Sequence, residues 1–377
     1  LHLKTKLEKK GQKKILSIDG GGIRGLIAVE ILAKIEQELR EREKNPNLVL
    51  SDYFDFVAGT STGAVIAAAI SIGKSMDFIR SFYVDNGQDM FSRRIPIPNI
   101  GKIMGYEYSC DALTKTLQEV FGKQTTLGSK ELKTLLLVVM HNVKTDSPWP
   151  MSNNPYAKYN NLEEHGTKSN LHLPLWQLLR ASTAAPTFFR PEHIDIGGEP
   201  FSFVDGAMTP YNNPAFQAYL MATLNAYNLK WNKREKNLLL VSVGTGETPL
   251  VSEKEKSGEK FIYNHVKDIP AYLINAISTQ QDMLCRVFGR CKVGYAIDSE
   301  IGDLQDTQGL GCVDENLFTY LRYSLKLTDK RFKALGLSHL DADALAQIDA
   351  VDNIADLEVL GKRVAEEVVD VGHFEGF

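Results

Sequence analysis

Ser61 stands in Gly59-Thr60-Ser61-Thr62-Gly63, between an apolar, aromatic-rich run, Tyr53 to Ala58, and a second apolar run, Ala64 to Ile72. A strand that turns sharply into a helix at a serine projects the hydroxyl into a cleft, and glycines two residues to either side let strand and helix approach. Ser61 then also lies at the amino end of a helix, where the dipole and unpaired N–H groups favour developing negative charge. These are the requirements of a nucleophile for acyl chemistry. Such a serine needs donors for an oxyanion. Gly20-Gly21-Gly22-Ile23-Arg24-Gly25 follows the apolar run Lys14 to Ile18 and Asp19, and its successive N–H groups suit that role. It also needs a base, and Asp205 sits after Phe201 to Val204 and before Gly206-Ala207, in a tight turn at a strand end.

The elements that must hold these residues follow from apolar periodicity. The chain opens as a buried strand, the glycine loop and a helix with Ile31, Leu32, Ile35 and Leu39 on one face; Asn45-Pro46-Asn47 turns it back into the Tyr53 to Ala58 strand. Further helices are expected from Ser75, from Asp111 to Phe121 and from Pro174 to Arg180. Further strands are expected at Leu135 to Met140, Phe201 to Val204 and Leu238 to Val243, the last ending at Gly244-Thr245-Gly246. Residues 144–170 read as a long loop. Alternating strands and helices predict a three-layer α/β/α sandwich with a mostly parallel sheet and the site at the carboxyl ends of its strands. From about residue 255 the pattern changes to amphipathic helices, at Ile269 to Phe288, Asn316 to Leu325, Ala342 to Ile348 and Ile354 to Val369. The expected organisation is a basic tail (1–13), a catalytic domain (14–254) and a helical carboxyl-terminal extension packed on it (255–377).

Composition narrows the classes. The 377 residues are 43% hydrophobic and 24% charged, an ordinary globular balance, and a net charge of -4 argues against a nucleic-acid partner. Four cysteines, Cys110, Cys285, Cys291 and Cys312, fit neither a disulfide framework nor a zinc site and point to a reducing cytoplasm. No metal or cofactor is expected. No apolar stretch reaches the roughly 20 residues that span a bilayer, so any membrane contact is peripheral. Six lysines within residues 1–14 form a tail either solvated or touching anionic lipid. Loop 91–104, with Arg93 and Arg94 among apolar residues, suits either a bilayer surface or a buried connection.

Two rivals compete for the motifs. Gly20 to Gly25 satisfies the G-x-G-x-x-G pattern of a nucleotide-binding module, but the second strand ends in Gly59-Thr60-Ser61 where such a site carries an acid for the ribose. A Ser-Asp-His triad is possible in chain order with His265, His339 or His373, yet those hydrolases lay down several strands before the elbow, and here one strand and one helix precede the elbow strand. Arg24 reads equally as a cation for a phosphate headgroup or as a solvent-facing helix residue.

Asp19-Gly-Gly-Gly-Ile-Arg-Gly25, Gly59-Thr-Ser-Thr-Gly63 and Asp205-Gly-Ala207, in that order, resemble the patatin-like phospholipases, with support from Ser182-Thr-Ala-Ala-Pro186 and Asn213-Pro214. The resemblance covers residues 14–246. It implies a Ser-Asp dyad without histidine: Ser61 as nucleophile, Asp205 as base and the Gly20 to Gly25 loop as oxyanion hole, acting on acyl esters of phospholipid or lysophospholipid at a membrane surface. Acyl transfer to an alcohol is the alternative within the same architecture. The plant storage members have Asp-Gly-Gly where this chain has Asp205-Gly206-Ala207, a departure that leaves the base in place.

Overall fold

The computed structural model describes residues 2–8, 10–90, 110–186, 188–248, 269–305 and 313–377. Its strands are β1 (Lys13–Ile18), β2 (Phe56–Thr60), β3 (Leu135–Asn142), β4 (Ser147–Ser152), β5 (Glu192–Ile196), β6 (Glu199–Asp205), β7 (Leu238–Val243), β8 (Arg290–Val293) and β9 (Thr319–Tyr323). The helices are α1 (His2–Glu8), α2 (Gly25–Arg42), α3 (Leu50–Tyr53), α4 (Thr62–Ser71), α5 (Met76–Met90), α6 (Cys110–Phe121) and α7 (Leu162–His165). They continue with α8 (Leu175–Ser182), α9 (Ala215–Thr223), α10 (Ile269–Phe288), α11 (Asp329–Ala334), α12 (Ala342–Leu345) and α13 (Ile354–Val368).

Side chains alternate across each strand, and both faces here are apolar. Leu16, Ile18, Val57, Leu136, Val138, Val241 and Leu321 bury against α2, α4, α8 and α13. Ile15, Phe56, Ala58, Leu137, Val139, Leu240 and Tyr320 bury on the opposite side with residues of α9 and α10. Helices therefore cover both faces, as the sequence predicts. The central pairs β3–β2–β1–β7–β9–β8 are all parallel, whereas β4 and β6 run antiparallel to β3, and β5 antiparallel to β6.

The register around β3 brings the site together. β4 lies along one edge of β3 from Leu137 to Asn142. The other edge is shared: β2 pairs with Leu135 to Val139, and β6, arriving from the opposite direction, pairs with Met140 to Asn142. β2 and β6 thus meet end to end, Thr60 opposite Val139 and Asp205 opposite Met140.

Four expectations need correction. Residues 316–325, read as a helix, contain β9; its five residues are all buried, so there is no amphipathic alternation to read, and Tyr320, Leu321 and Tyr323 favour extended backbone. The carboxyl-terminal third therefore adds β8 and β9 to the same sheet while its helices pack outside. The 144–170 loop contains β4, an edge strand that tolerates Pro148 and Pro150 because its outer edge needs no donors. The strand expected from Tyr53 begins at Phe56, preceded by the one-turn α3. The basic tail includes α1, anchored by buried Leu7 and by Lys6 Nζ donating to the Ser51 and Phe54 carbonyls at 2.8 and 3.2 Å. Loop 91–104 lies outside the described residues.

Candidate active site

Ser61 adopts φ 54° and ψ −128°, a left-handed conformation uncommon for a non-glycine residue, between the last residue of β2 and the first of α4. The turn is held from both sides. A Cβ on Gly59 would lie 2.1 Å from the Gly63 carbonyl oxygen, and one on Gly63 2.3 Å from that of Ile18, so strand, elbow and helix touch backbone to backbone. The Ser61 N–H donates to Ser182 Oγ at 2.9 Å, and Ser182 Oγ donates to the Val139 carbonyl at 2.6 Å, at the junction where β2 and β6 meet.

Across that junction Ser61 Oγ donates to Asp205 Oδ2 at 2.6 Å, with both residues buried. Asp205 Oδ1 accepts from the Ala207 N–H at 2.8 Å, which fixes the carboxylate plane. Burial pushes the Asp205 carboxyl up to about 6, against the Ser61 hydroxyl, the Ala207 N–H and the positive charge of buried Arg180. A carboxylate of that basicity is a far better proton acceptor than an exposed aspartate, yet it is largely ionised at neutral pH. Ala207 is half-buried and is not among the residues with positive φ, so a methyl at this position is accommodated.

Among the described residues no histidine joins the pair. His373 Nδ1 meets the Tyr323 hydroxyl at 3.0 Å, His193 Nδ1 meets Ser202 Oγ at 2.8 Å, and His265 lies outside the described residues. No group of three His, Cys, Asp or Glu among the described residues is arranged to hold a metal ion.

The glycine loop lies beside Ser61: a Cβ on Gly20 would be 3.2 Å from Ser61 Cβ. Its N–H groups are not equivalent. Gly20 donates to the Asn212 carbonyl at 3.1 Å, Ile23 to the Ile348 carbonyl at 2.9 Å, and Gly25 back to the Gly22 and Ile23 carbonyls. Gly21 and Gly22 have no hydrogen-bond partner for their N–H groups among the described residues. Arg24 is buried, not solvent-facing: its Nη1 donates to Thr248 Oγ1 at 3.0 Å and its Nε reaches the Gly21 carbonyl at 3.4 Å. Burial pushes its guanidinium down to about 10.

Three supporting residues escaped the sequence reading. Arg322 of β9 clamps Asp19, the residue ahead of the loop, through Nη1–Oδ1 and Nη2–Oδ2 contacts of 3.0 and 2.7 Å, and also donates to Ser242 Oγ at 2.8 Å. Burial pushes Asp19 up to about 6 against the pull of Arg322; burial also opposes the charge on Arg322, but Asp19, Tyr320 and Asp282 together outweigh it and hold the guanidinium protonated. The two-point geometry is that of an ion pair. Ser182, in the Ser-Thr-Ala-Ala-Pro segment, is the second. Thr245, the third, donates to the Gly20 carbonyl at 2.8 Å.

An open α/β sheet with a serine elbow and an aspartate at one strand-end junction defines the class of the molecule, and sequence comparison gives the family. The patatin-like phospholipase profile matches residues 16–219, and the chain belongs to that family. Patatin-T5 of Solanum tuberosum is 30% identical over 253 residues, 62% of this chain and 60% of the relative. Patatin-17 of Solanum cardiophyllum is 30% identical over 251 residues, with the same coverage. An intracellular phospholipase A2 of Caenorhabditis elegans is 31% identical over 247 residues, 64% of this chain and 20% of the relative. The match thus spans about three-fifths of the patatins and one-fifth of the nematode protein. No described helix is long and apolar enough to cross a membrane.

Proposed function

We propose that the protein is a lipid acyl hydrolase that cleaves acyl esters of phospholipid or lysophospholipid through an acyl-serine intermediate. The observation that carries this reading is the 2.6 Å hydrogen bond from Ser61 Oγ to Asp205 Oδ2 at a buried, strained elbow. Ser61 Oγ attacks the ester carbonyl as its proton passes to Asp205 Oδ2. The oxyanion is met by the N–H groups of Gly21 and Gly22, which have no partner among the described residues. Collapse breaks the ester C–O bond, and Asp205 returns the proton to the departing alcohol. Water then attacks the acyl-serine, yielding its proton to Asp205; the carboxylic acid leaves and Ser61 Oγ recovers the proton. Arg24, a buried cation within the same loop, favours a substrate with an anionic headgroup.

The test is phosphatidylcholine vesicles incubated with the protein, with lipid products resolved by mass spectrometry. Free fatty acid is expected in amounts equal to the lysolipid or above it, the excess measuring cleavage of the lysolipid itself. Acyl esters of an added alcohol in place of free acid indicate transfer, and intact lipid removes the proposal.

A pH profile follows from the Asp205 environment. The base must be ionised, so kcat/KM is expected to fall about tenfold per unit below a midpoint near pH 6 and to be level above it. A rate independent of pH from 5 to 8 contradicts the assignment of Asp205 as base.

A further inference from the structure

The Gly244-Thr245-Gly246 turn at the end of β7 stands outside the Ser61–Asp205 pair, yet it grips the glycine loop. Thr245 is buried, and its Oγ1 donates to the Gly20 carbonyl at 2.8 Å. A Cβ on Gly21 would lie 2.1 Å from Thr245 Oγ1, so only glycine lets the threonine reach that carbonyl. The turn is itself held. The Gly244 N–H donates to the Tyr323 carbonyl at 2.8 Å, and the Glu247 N–H to that of Leu325 at 2.8 Å, while Asp19 beneath the loop is clamped by Arg322.

A trans peptide is planar, with C=O and N–H on opposite edges. Fixing the Gly20 carbonyl on Thr245 therefore turns the Gly21 N–H to the other edge of the same plane, and that N–H has no partner among the described residues. Two adjoining glycines offer little steric resistance to rotation of the peptide between them. The threonine hydroxyl supplies what their backbone lacks, a reason to keep one orientation.

We infer that Thr245 is a positioning residue that locks the Gly20–Gly21 peptide so that the Gly21 N–H serves as an oxyanion donor, an inference resting on Ser61 being the nucleophile. Loss of one oxyanion donor lowers kcat by roughly 10²- to 10³-fold in other enzymes. Thr245→Val, which keeps the shape and removes the hydroxyl, is expected to lower kcat about 100-fold with KM within about threefold of wild type. Its affinity for a trifluoromethyl ketone lipid, which forms a charged tetrahedral adduct, falls in parallel, while binding of a non-hydrolysable ether lipid holds. Thr245→Ser, which restores the donor, recovers activity to within about threefold. Thr245→Ala runs beside the valine variant in case a methyl against Gly21 disturbs folding, and the same kcat loss is expected.

Activity of Thr245→Val and Thr245→Ala near the wild-type level overturns the inference. So does an equal loss in the serine variant, or a loss matched by weaker ether-lipid binding, since either marks a merely structural role. Ser61→Ala in the same assay separates the two claims. If it remains active the hydrolase reading fails; if it is inactive while Thr245→Val is active, only the role of Thr245 fails.

Discussion

Ser61→Ala and Asp205→Asn are each expected to lower ester hydrolysis by on the order of 10⁴-fold, and the double variant to lose little more than either single. Non-additivity follows from the geometry. One hydrogen bond joins Ser61 and Asp205, the proposed nucleophile and base, so removing either end leaves the other without a partner for the proposed proton transfer. Steady-state rates on a short-chain ester give all three values, and losses that multiply in the double variant contradict a coupled pair.

The aspartate substitution should also move stability in the opposite sense. The Asp205 carboxyl is raised from an ordinary 3.8 to about 6 in the folded protein, so the fold binds its proton more tightly than the unfolded chain does. That contribution is present below pH 3.8 and is lost as pH rises through 6. Asparagine is neutral throughout and escapes the loss. Asp205→Asn is expected to be more stable than wild type at pH 7.5 by about 2–3 kcal/mol and to converge with it near pH 4. Denaturant melts at both pH values measure this, and a variant less stable at pH 7.5 contradicts it.

Arg322→Met carries the second large effect. It leaves Asp19 buried with its guanidinium gone, and breaking a buried pair from one side costs about 3–5 kcal/mol. The sign with pH is again set by a raised carboxyl: the variant should regain stability as pH falls and Asp19 protonates. Adding Asp19→Asn should recover part of the loss at neutral pH. Thermal melts at pH 5 and 8 distinguish this from lost packing, which has no such pH dependence. Because Asp19 precedes Gly20, kcat is expected to fall even where the variant stays folded.

The placement of the candidate site residues was legible where local rules apply. Ser61, the glycine loop and Asp205 each sit at a strand end with glycine beside them, and strand-end placement is written in apolar periodicity. The residues that hold these groups were not legible, since their partnerships cross the chain. Arg322 lies 303 positions from Asp19, and Thr245 lies 225 from Gly20. Nothing near Arg322 in sequence marks it as more than one arginine among many, and the burial of β9 on both faces erases the alternation that would mark it as a strand. Thr245 had a local signal, glycines on both sides at a strand end, but its target is set by how β7 lies beside β1. The Ile348 carbonyl that takes the Ile23 N–H comes from the segment after α12, and no side-chain pattern reports a backbone acceptor. Side-chain identity, by contrast, marked Ser182, which ties the Ser61 N–H to Val139, only as part of a motif without a role.

The most direct test of the central claim is to label the protein with a fluorophosphonate and locate the adduct by peptide mass spectrometry. One adduct per chain on Ser61 is expected, absent from Ser61→Ala and formed far more slowly in Asp205→Asn. A hydrolytically active protein that takes no label at Ser61, or takes it on another residue, contradicts the account.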